Sequence, residues 1–251
     1  MLLVCYAPVL AGLARQWASD TDMSHGFLVA PAAAMVLWRR REELKRIPAE
    51  TNWWGLAVVV WGGAQMLFGA LAAQVFIVRT AFLISLTGAV LFLGGMRALR
   101  ILAFPLGLLL FLFPIPAMVY ARLTLSLQLV ASAAAEGVLN GVGIPVLREG
   151  NILELAHERI SVVEACSGIR SLLSLAFLSV IYGYFFDRRV RVRWILLAAS
   201  LPAAIAANAA RVAIRGLAGG GFHLLEGWML FLGALSLLMG LHQLLRNRAA
   251  A

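Results

Sequence analysis

Apolar residues run along this chain in blocks, and the polar residues gather in short groups between them. Eight blocks read as spans: Leu2 to Ala14, Phe27 to Trp38, Trp54 to Ala73, Val75 to Gly95, Ile101 to Val119, Ser167 to Phe186, Trp194 to Ile214 and Trp228 to Leu245. The longer ones match the roughly 20 residues a helix needs to cross a bilayer. The first two are short. Gln74 marks a tight turn between the third and fourth, and the prolines of "FPIP" kink or end the fifth. "MLLVCYAPVLAGLA" lacks the basic start of a cleavable signal peptide and reads as a first span.

Between the fifth and sixth blocks the period changes. Tyr120 to Leu139 carries Arg122, Gln128 and Glu136 on an alanine-rich run, which predicts an amphipathic helix lying in the outer interface. "VLREG", "NILELAH" and "RISVVEA" then alternate, with a turn signal at Gly150 and Asn151. They predict a small β-hairpin or three-stranded ribbon. The expected architecture is an all-α polytopic transmembrane bundle, a single domain over residues 1–251, with an outer-face segment over about 120–165.

Composition excludes the soluble alternative. With 62% hydrophobic and 13% charged residues, the chain could not cover its apolar side chains with a polar surface. The net charge of +9 is no footprint for nucleic acid, because its Arg and Lys residues sit in clusters between spans. Arg39 to Arg46, Arg97 with Arg100, Arg188 to Arg193, and Arg246 with Arg248 fall on alternate loops. The positive-inside rule makes that side cytoplasmic, together with both termini. "SDTDMSH", Tyr120 to Ala165 and "GLAGGGFHLLEG" then face outward, so Cys166, Arg211 and His223 share the outer face.

The reactive candidates lie on that face. In "VVEACSGIRSLL" (Val162 to Leu173), Ser167 could be an ordinary helix N-cap and Gly168 a packing residue, with Cys166 an inert small hydrophobe. Against that, a cysteine where a strand meets a helix N-terminus is favoured as thiolate. Its only possible disulfide partner, Cys5, is expected across the bilayer, which leaves Cys166 a lone thiol in an oxidising compartment. Asn208 and Arg211 lie one turn apart near the outer end of the seventh block. An arginine that deep points into a bundle rather than into lipid, whereas Arg215 can snorkel. His223 follows a glycine run and could be a plain interfacial histidine. Together the three groups are a nucleophile, an anion stabiliser and a proton carrier. The four histidines show no metal-binding spacing, and neither metal nor cofactor is expected.

The sequence resembles the exosortase/archaeosortase family of membrane transpeptidases. "EACSGIRSL" (Glu164 to Leu172), "NAAR" (Asn208 to Arg211) and "HLLEG" (His223 to Gly227) carry the resemblance. "W...D..MSHGFLV" (Trp17 to Val29), "FPIP" and "GIPVLREGNIL" (Gly143 to Leu153) extend it in family order. The resemblance implies Cys166, Arg211 and His223 as catalytic residues, with Glu164, Ser167, Gly168, Arg170, Asn208, Ser24 and His25 binding substrate or supporting the site. It implies as substrates exported proteins with a C-terminal Pro-Glu-Pro-like motif, a transmembrane helix and a basic tail. They would be cleaved at the outer face of a bacterial inner membrane through a thioester on Cys166 and passed to an acceptor the sequence does not name. The rival reading is a transporter or flippase subunit of an envelope pathway. Against it, the chain shows no internal repeat and no paired broken spans.

Overall fold

The computed structural model describes residues 1–20, 23–48, 50–156, 159–162, 169–218 and 223–247, with the backbone alone at 218 and 223–226. The chain is mostly helical, with one small sheet, and groups into two compact units, Met1–Pro116 and Ala117–Ala251.

The first unit holds α1 (Leu2–Cys5), α2 (Ala7–Ser19), α3 (Gly26–Arg46), α4 (Trp53–Leu71) and α5 (Val75–Leu108), followed by a 3-10 turn at Leu109–Leu112. Helices α4 and α5 meet along glycines seven residues apart: Gly55, Gly62 and Gly69 are all buried. A Cβ at Gly88 would lie 2.7 Å from the Val59 nitrogen, and one at Gly69 3.0 Å from the Val78 nitrogen. The two backbones therefore approach as closely as small residues allow, which is how helices gain contact where lipid supplies no hydrophobic drive. Asn52 starts α4: its Oδ1 accepts the Trp54 N–H at 3.0 Å, and its own N–H donates to the Phe92 carbonyl at 3.2 Å.

Helix α5 is two legs. At Gly95 the backbone adopts φ 65° and ψ −168°, a conformation open essentially to glycine alone. Near one end of α5, Arg79 donates to the Gln16 Oε1, and beyond its other end the Leu112 carbonyl accepts the Trp17 indole N–H at 3.3 Å. A straight helix would separate residues 79 and 112 by about 50 Å, yet both touch neighbouring residues of α2. The chain therefore reverses at Gly95, at the boundary expected between the fourth and fifth spans. The first leg carries α2, with the Tyr6 hydroxyl 2.9 Å from Ser85 Oγ and the Tyr6 ring edge-on to Phe82.

The second unit holds α6 (Ala117–Gly141), β1 (Val146–Glu149), β2 (Ile152–Leu155), β3 (Arg159–Ser161), α7 (Ile169–Phe186), α8 (Val190–Ala218) and α9 (His223–Asn247). The strands form an antiparallel sheet in the order β1-β2-β3, with Leu153 opposite both Arg148 and Ile160. Gly150, at φ 64°, makes the β1–β2 turn with Asn151, as the sequence predicted. One face of the sheet packs Leu153 and Ile160 against Ala135 and Leu139 of α6 and Val212 and Ala213 of α8.

The polar residues of α6 have a different task from the one expected. They form a stripe of period four along the hairpin. Gln128 accepts from Asn151 at 3.2 Å, Ser132 donates to the Gly150 carbonyl at 3.0 Å, Glu136 pairs with Arg148 at 2.7 Å, and Asn140 accepts the Val146 N–H at 3.2 Å. The period reads as interfacial amphipathicity in sequence because both arrangements need one polar face.

Six helical stretches are long and apolar enough to cross a membrane, not the eight expected: Trp53–Leu71, Val75–Leu112, Ala117–Gly141, Ile169–Phe186, Val190–Leu217 and Gly227–Asn247. The expected first span is the 13-residue α2, which is too short. The expected second span lies in α3, whose last turns are the charged run "RRREELKR". The fourth and fifth are counted once, although Gly95 divides them. Ala117–Gly141 satisfies length and hydropathy, but its second half runs beside strands bearing Arg148, Glu149, Glu154 and Arg159, groups that hydrocarbon does not accommodate.

Candidate active site

The residues that position the site are the start of α7, the outer half of α8 and the first turns of α9. Helix α7 begins with Ile169, fully buried, and Ser171 and Leu175 lie one turn apart on its inner face. On α8 the residues of that face are Ala204, Ala207, Asn208 and Arg211; on α9 they are Phe231 and Ala234. These eight side chains line one small cavity of about 250 Å³, apolar at its deeper end and polar where Ser171, Asn208 and Arg211 meet. Beneath it, Leu175, Ala204, Ala234 and Leu238 form a core cluster that fixes the three helices against one another.

Asn208 is only 5% exposed, although it lies in a helix otherwise rich in alanine. Arg211 follows it by one turn, and its guanidinium reaches α9. A Cβ added at Gly227 would lie 3.0 Å from Arg211 Nη2. Gly227 is thus the place α9 leaves open for the arginine, and it stands one turn along from His223, the first residue of that helix. On the far side of α8, Gly216 packs on Leu139 and Leu155, so the sheet sits at the same end of the unit as Arg211.

Asn208 and Arg211, read as one face in the sequence, do line one cavity. Arg170 is exposed on the first turn of α7. Glu164, Cys166, Ser167 and Gly168 lie outside the described residues, as does the side chain of His223. Ser24 and His25 belong to the other compact unit. There His25 is 5% exposed, with Nε2 3.1 Å from the Phe111 carbonyl, which ties the start of α3 to the segment before "FPIP". Gly26 beside it packs under the Trp17 indole, where a Cβ would collide. Sequence reasoning quoted Ser171, Gly227 and Phe231 without assigning them roles. The signal for Ser171 was its i,i+4 spacing to Leu175; Gly227 and Phe231 become legible only once α8 is placed.

Among the described residues no group of His, Cys, Asp and Glu could hold a metal ion. No curated protein and no solved structure matches this chain. The family comparison is decisive in the other direction: the profile of the transmembrane exosortases matches residues 17–240, a stretch that includes both helical units, the sheet and every element lining the cavity. The chain is a multi-pass membrane protein of the transmembrane exosortase family.

Proposed function

We propose that the protein is a cysteine transpeptidase that cleaves C-terminal sorting signals of exported proteins. The observation that carries this reading is the cavity in which Asn208 and Arg211 lie between the first turn of α7 and the first turns of α9. Cys166 precedes Ile169 by three residues, so the chain allows it no more than about 10 Å from that buried anchor. His223 is one turn from the glycine against Arg211. Nucleophile, cation and proton carrier are thereby confined to one end of one helical unit.

Each group then has one task. The Cys166 thiolate, favoured by Arg211 and by a helix N-terminus, attacks the peptide carbonyl of the sorting motif. Arg211 and backbone N–H groups receive the tetrahedral oxyanion. The C–N bond breaks, His223 protonates the departing amine, and the membrane helix of the substrate leaves with its basic tail. The acyl part stays as a thioester until an acceptor nucleophile attacks it and restores the thiol. Asn208, buried beside Arg211, orients either the guanidinium or the substrate amide. In this reading the sheet and α6 lie at the outer, periplasmic face, the basic loops and both termini face the cytoplasm, and Glu164, Ser167, Gly168 and Arg170 shape the approach to the thiol. Ser24 and His25 support it from the N-terminal unit.

The test is a co-expressed substrate with a Pro-Glu-Pro-like motif, a transmembrane helix and a basic tail, followed by its change in size. Cys166→Ala should leave it uncut while the variant protein stays inserted, and hydroxylamine should release an acyl intermediate from the wild type. Normal processing by Cys166→Ala would end the thiol mechanism.

A further inference from the structure

The arginines of the segment joining α7 to α8 divide into two sets. Arg189 and Arg193 turn inward. Arg189 donates through Nη2 and Nε to the Asp187 carboxylate at 2.8 and 3.1 Å, and through Nη1 to the Leu245 carbonyl at 3.4 Å. Arg193 donates to the Asp187 carbonyl at 2.8 Å, and its guanidinium lies over the Tyr184 ring at 5.1 Å. These two hold the loop to the end of α9. They leave Arg188 and Arg191 exposed, and neither has a hydrogen bond or ion pair among the described residues. Arg246 is exposed as well, on the last turn of α9, one residue beyond the carbonyl that Arg189 holds.

The neighbours of these outward arginines are apolar. Phe186, Val190, Trp194 and Leu244 are 67%, 61%, 65% and 63% exposed, so this rim would be a poor surface in water. Phe186 ends one membrane-length helix, Val190 begins the next, and Trp194 stands a turn inside it. An indole at that depth belongs to the interfacial region, with apolar side chains below it and cations at headgroup level. A cationic fringe over an apolar belt matches a phosphate ester carried on acyl chains. A nucleic acid has no use for the belt, and an acidic soluble protein cannot reach it through the bilayer.

We propose that Arg188, Arg191 and Arg246, with Trp194 and Phe186, form a binding rim for anionic phospholipid headgroups in the leaflet opposite the Asn208–Arg211 cavity. The inward pair makes the rim specific to place. Asp187 engages Arg189 and His242, with His242 Nε2 3.1 Å from its Oδ2, so the only nearby carboxylate is not free to neutralise the outer arginines. Bound headgroups would brace the α7–α8 loop against α9, the same two contacts that set both helices at the cavity end.

The experiment measures how strongly the detergent-solubilised full chain retains phosphatidylglycerol over phosphatidylcholine, counted by native mass spectrometry. Wild type should prefer phosphatidylglycerol, and Arg188→Gln/Arg191→Gln/Arg246→Gln should lose that preference about tenfold or more. The control Lys45→Gln/Arg46→Gln/Arg97→Gln removes the same charge at other basic ends and should keep it. Replacing the three rim arginines by lysine should keep most of it, which separates lost charge from lost folding. Equal loss in rim and control variants, or no preference in wild type, overturns the proposal. Displacement of the lipid by millimolar inorganic phosphate would assign the arginines to the free anion and overturn it equally.

Discussion

A guanidinium at membrane depth needs space as well as a reason to be there, and Gly227 supplies the space. Because a Cβ at that position would press on Arg211 Nη2 at 3.0 Å, Gly227→Val should displace the guanidinium without unfolding three helices held by Leu175, Ala204, Ala234 and Leu238. Misplacing a catalytic cation by about 1 Å costs on the order of 100-fold in rate, so processing of a sorting-signal substrate should fall by that order. Arg211→Lys should be similarly impaired, since lysine keeps the charge and loses the planar fork of donors. Full activity of both variants would mean that Arg211 serves only to pack. The Asn208–Arg211 face was legible in the sequence because i,i+3 spacing places two polar residues together whatever surrounds them. The role of Gly227 was not, because it consists of a missing side chain opposite a partner sixteen residues earlier in the chain.

At the level of elements, the α7–α8 loop is fastened to α9 by a chain of hydrogen bonds: Tyr182 to His242 Nδ1 at 3.0 Å, His242 Nε2 to Asp187, and Asp187 to Arg189. Hydrogen bonds from the Arg189 side chain, opposed by burial and helped by the Arg189 backbone and His242, hold the Asp187 carboxyl well below the usual carboxylate range. A depressed folded-state pKa contributes stability that is present above the unfolded value and lost as pH falls through the folded one. Asp187→Asn should therefore unfold more easily than wild type at pH 7, by on the order of 1–3 kcal/mol. The gap should close progressively below about pH 4, where the unfolded carboxyl takes up its proton. A gap that stays constant from pH 7 to pH 3 would show that the carboxylate charge is not what holds the loop. None of this was visible in the sequence, where Asp187 is one acid beside a basic run and His242 lies 55 residues away. The β1–β2 turn was visible because glycine and asparagine write their backbone preference locally. The stripe on α6 was read as facing lipid because periodicity reports that a helix has a polar face and not what covers it.

For the whole molecule, the question is which ends of the helices share a side. In the second unit, Asn208, Arg211, Gly227 and the sheet lie at one end, and Asp187, Arg189 and His242 lie at the other. Basic clusters on alternate loops assign that second end to the cytoplasm. Single cysteines placed at Glu149 and at Arg188 in a Cys-free background should be labelled by an impermeant thiol reagent from opposite sides, Glu149 from outside and Arg188 only after lysis. Labelling of both from outside would make α6 a true crossing and remove the proposed orientation. The bundle itself was legible, because lipid leaves the backbone few alternatives to helix. The number of crossings was less so: α2 and α3 are too short or too charged to count by composition, and the reversal at Gly95 depends on one residue's dihedral angles.

The hairpin laid along α6 acts as a vernier. From Gln128 to Asn140 the helix rises about 18 Å, and from Val146 to Asn151 the strand advances about 17 Å. Two rulers with different graduations agree over this length, with four marks aligned: 128 to 151, 132 to 150, 136 to 148 and 140 to 146. A slip by one helical turn would not carry the strand through a whole number of its own two-residue repeats, so every mark would misalign at once. The sheet is thereby indexed to the helix, and Val162, fully buried where β3 ends, becomes a surveyed point. Ile169, equally buried, is the next one. Six residues separate them, and the reactive thiol we propose is one of the six, carried on a span of chain whose two endpoints are both fixed.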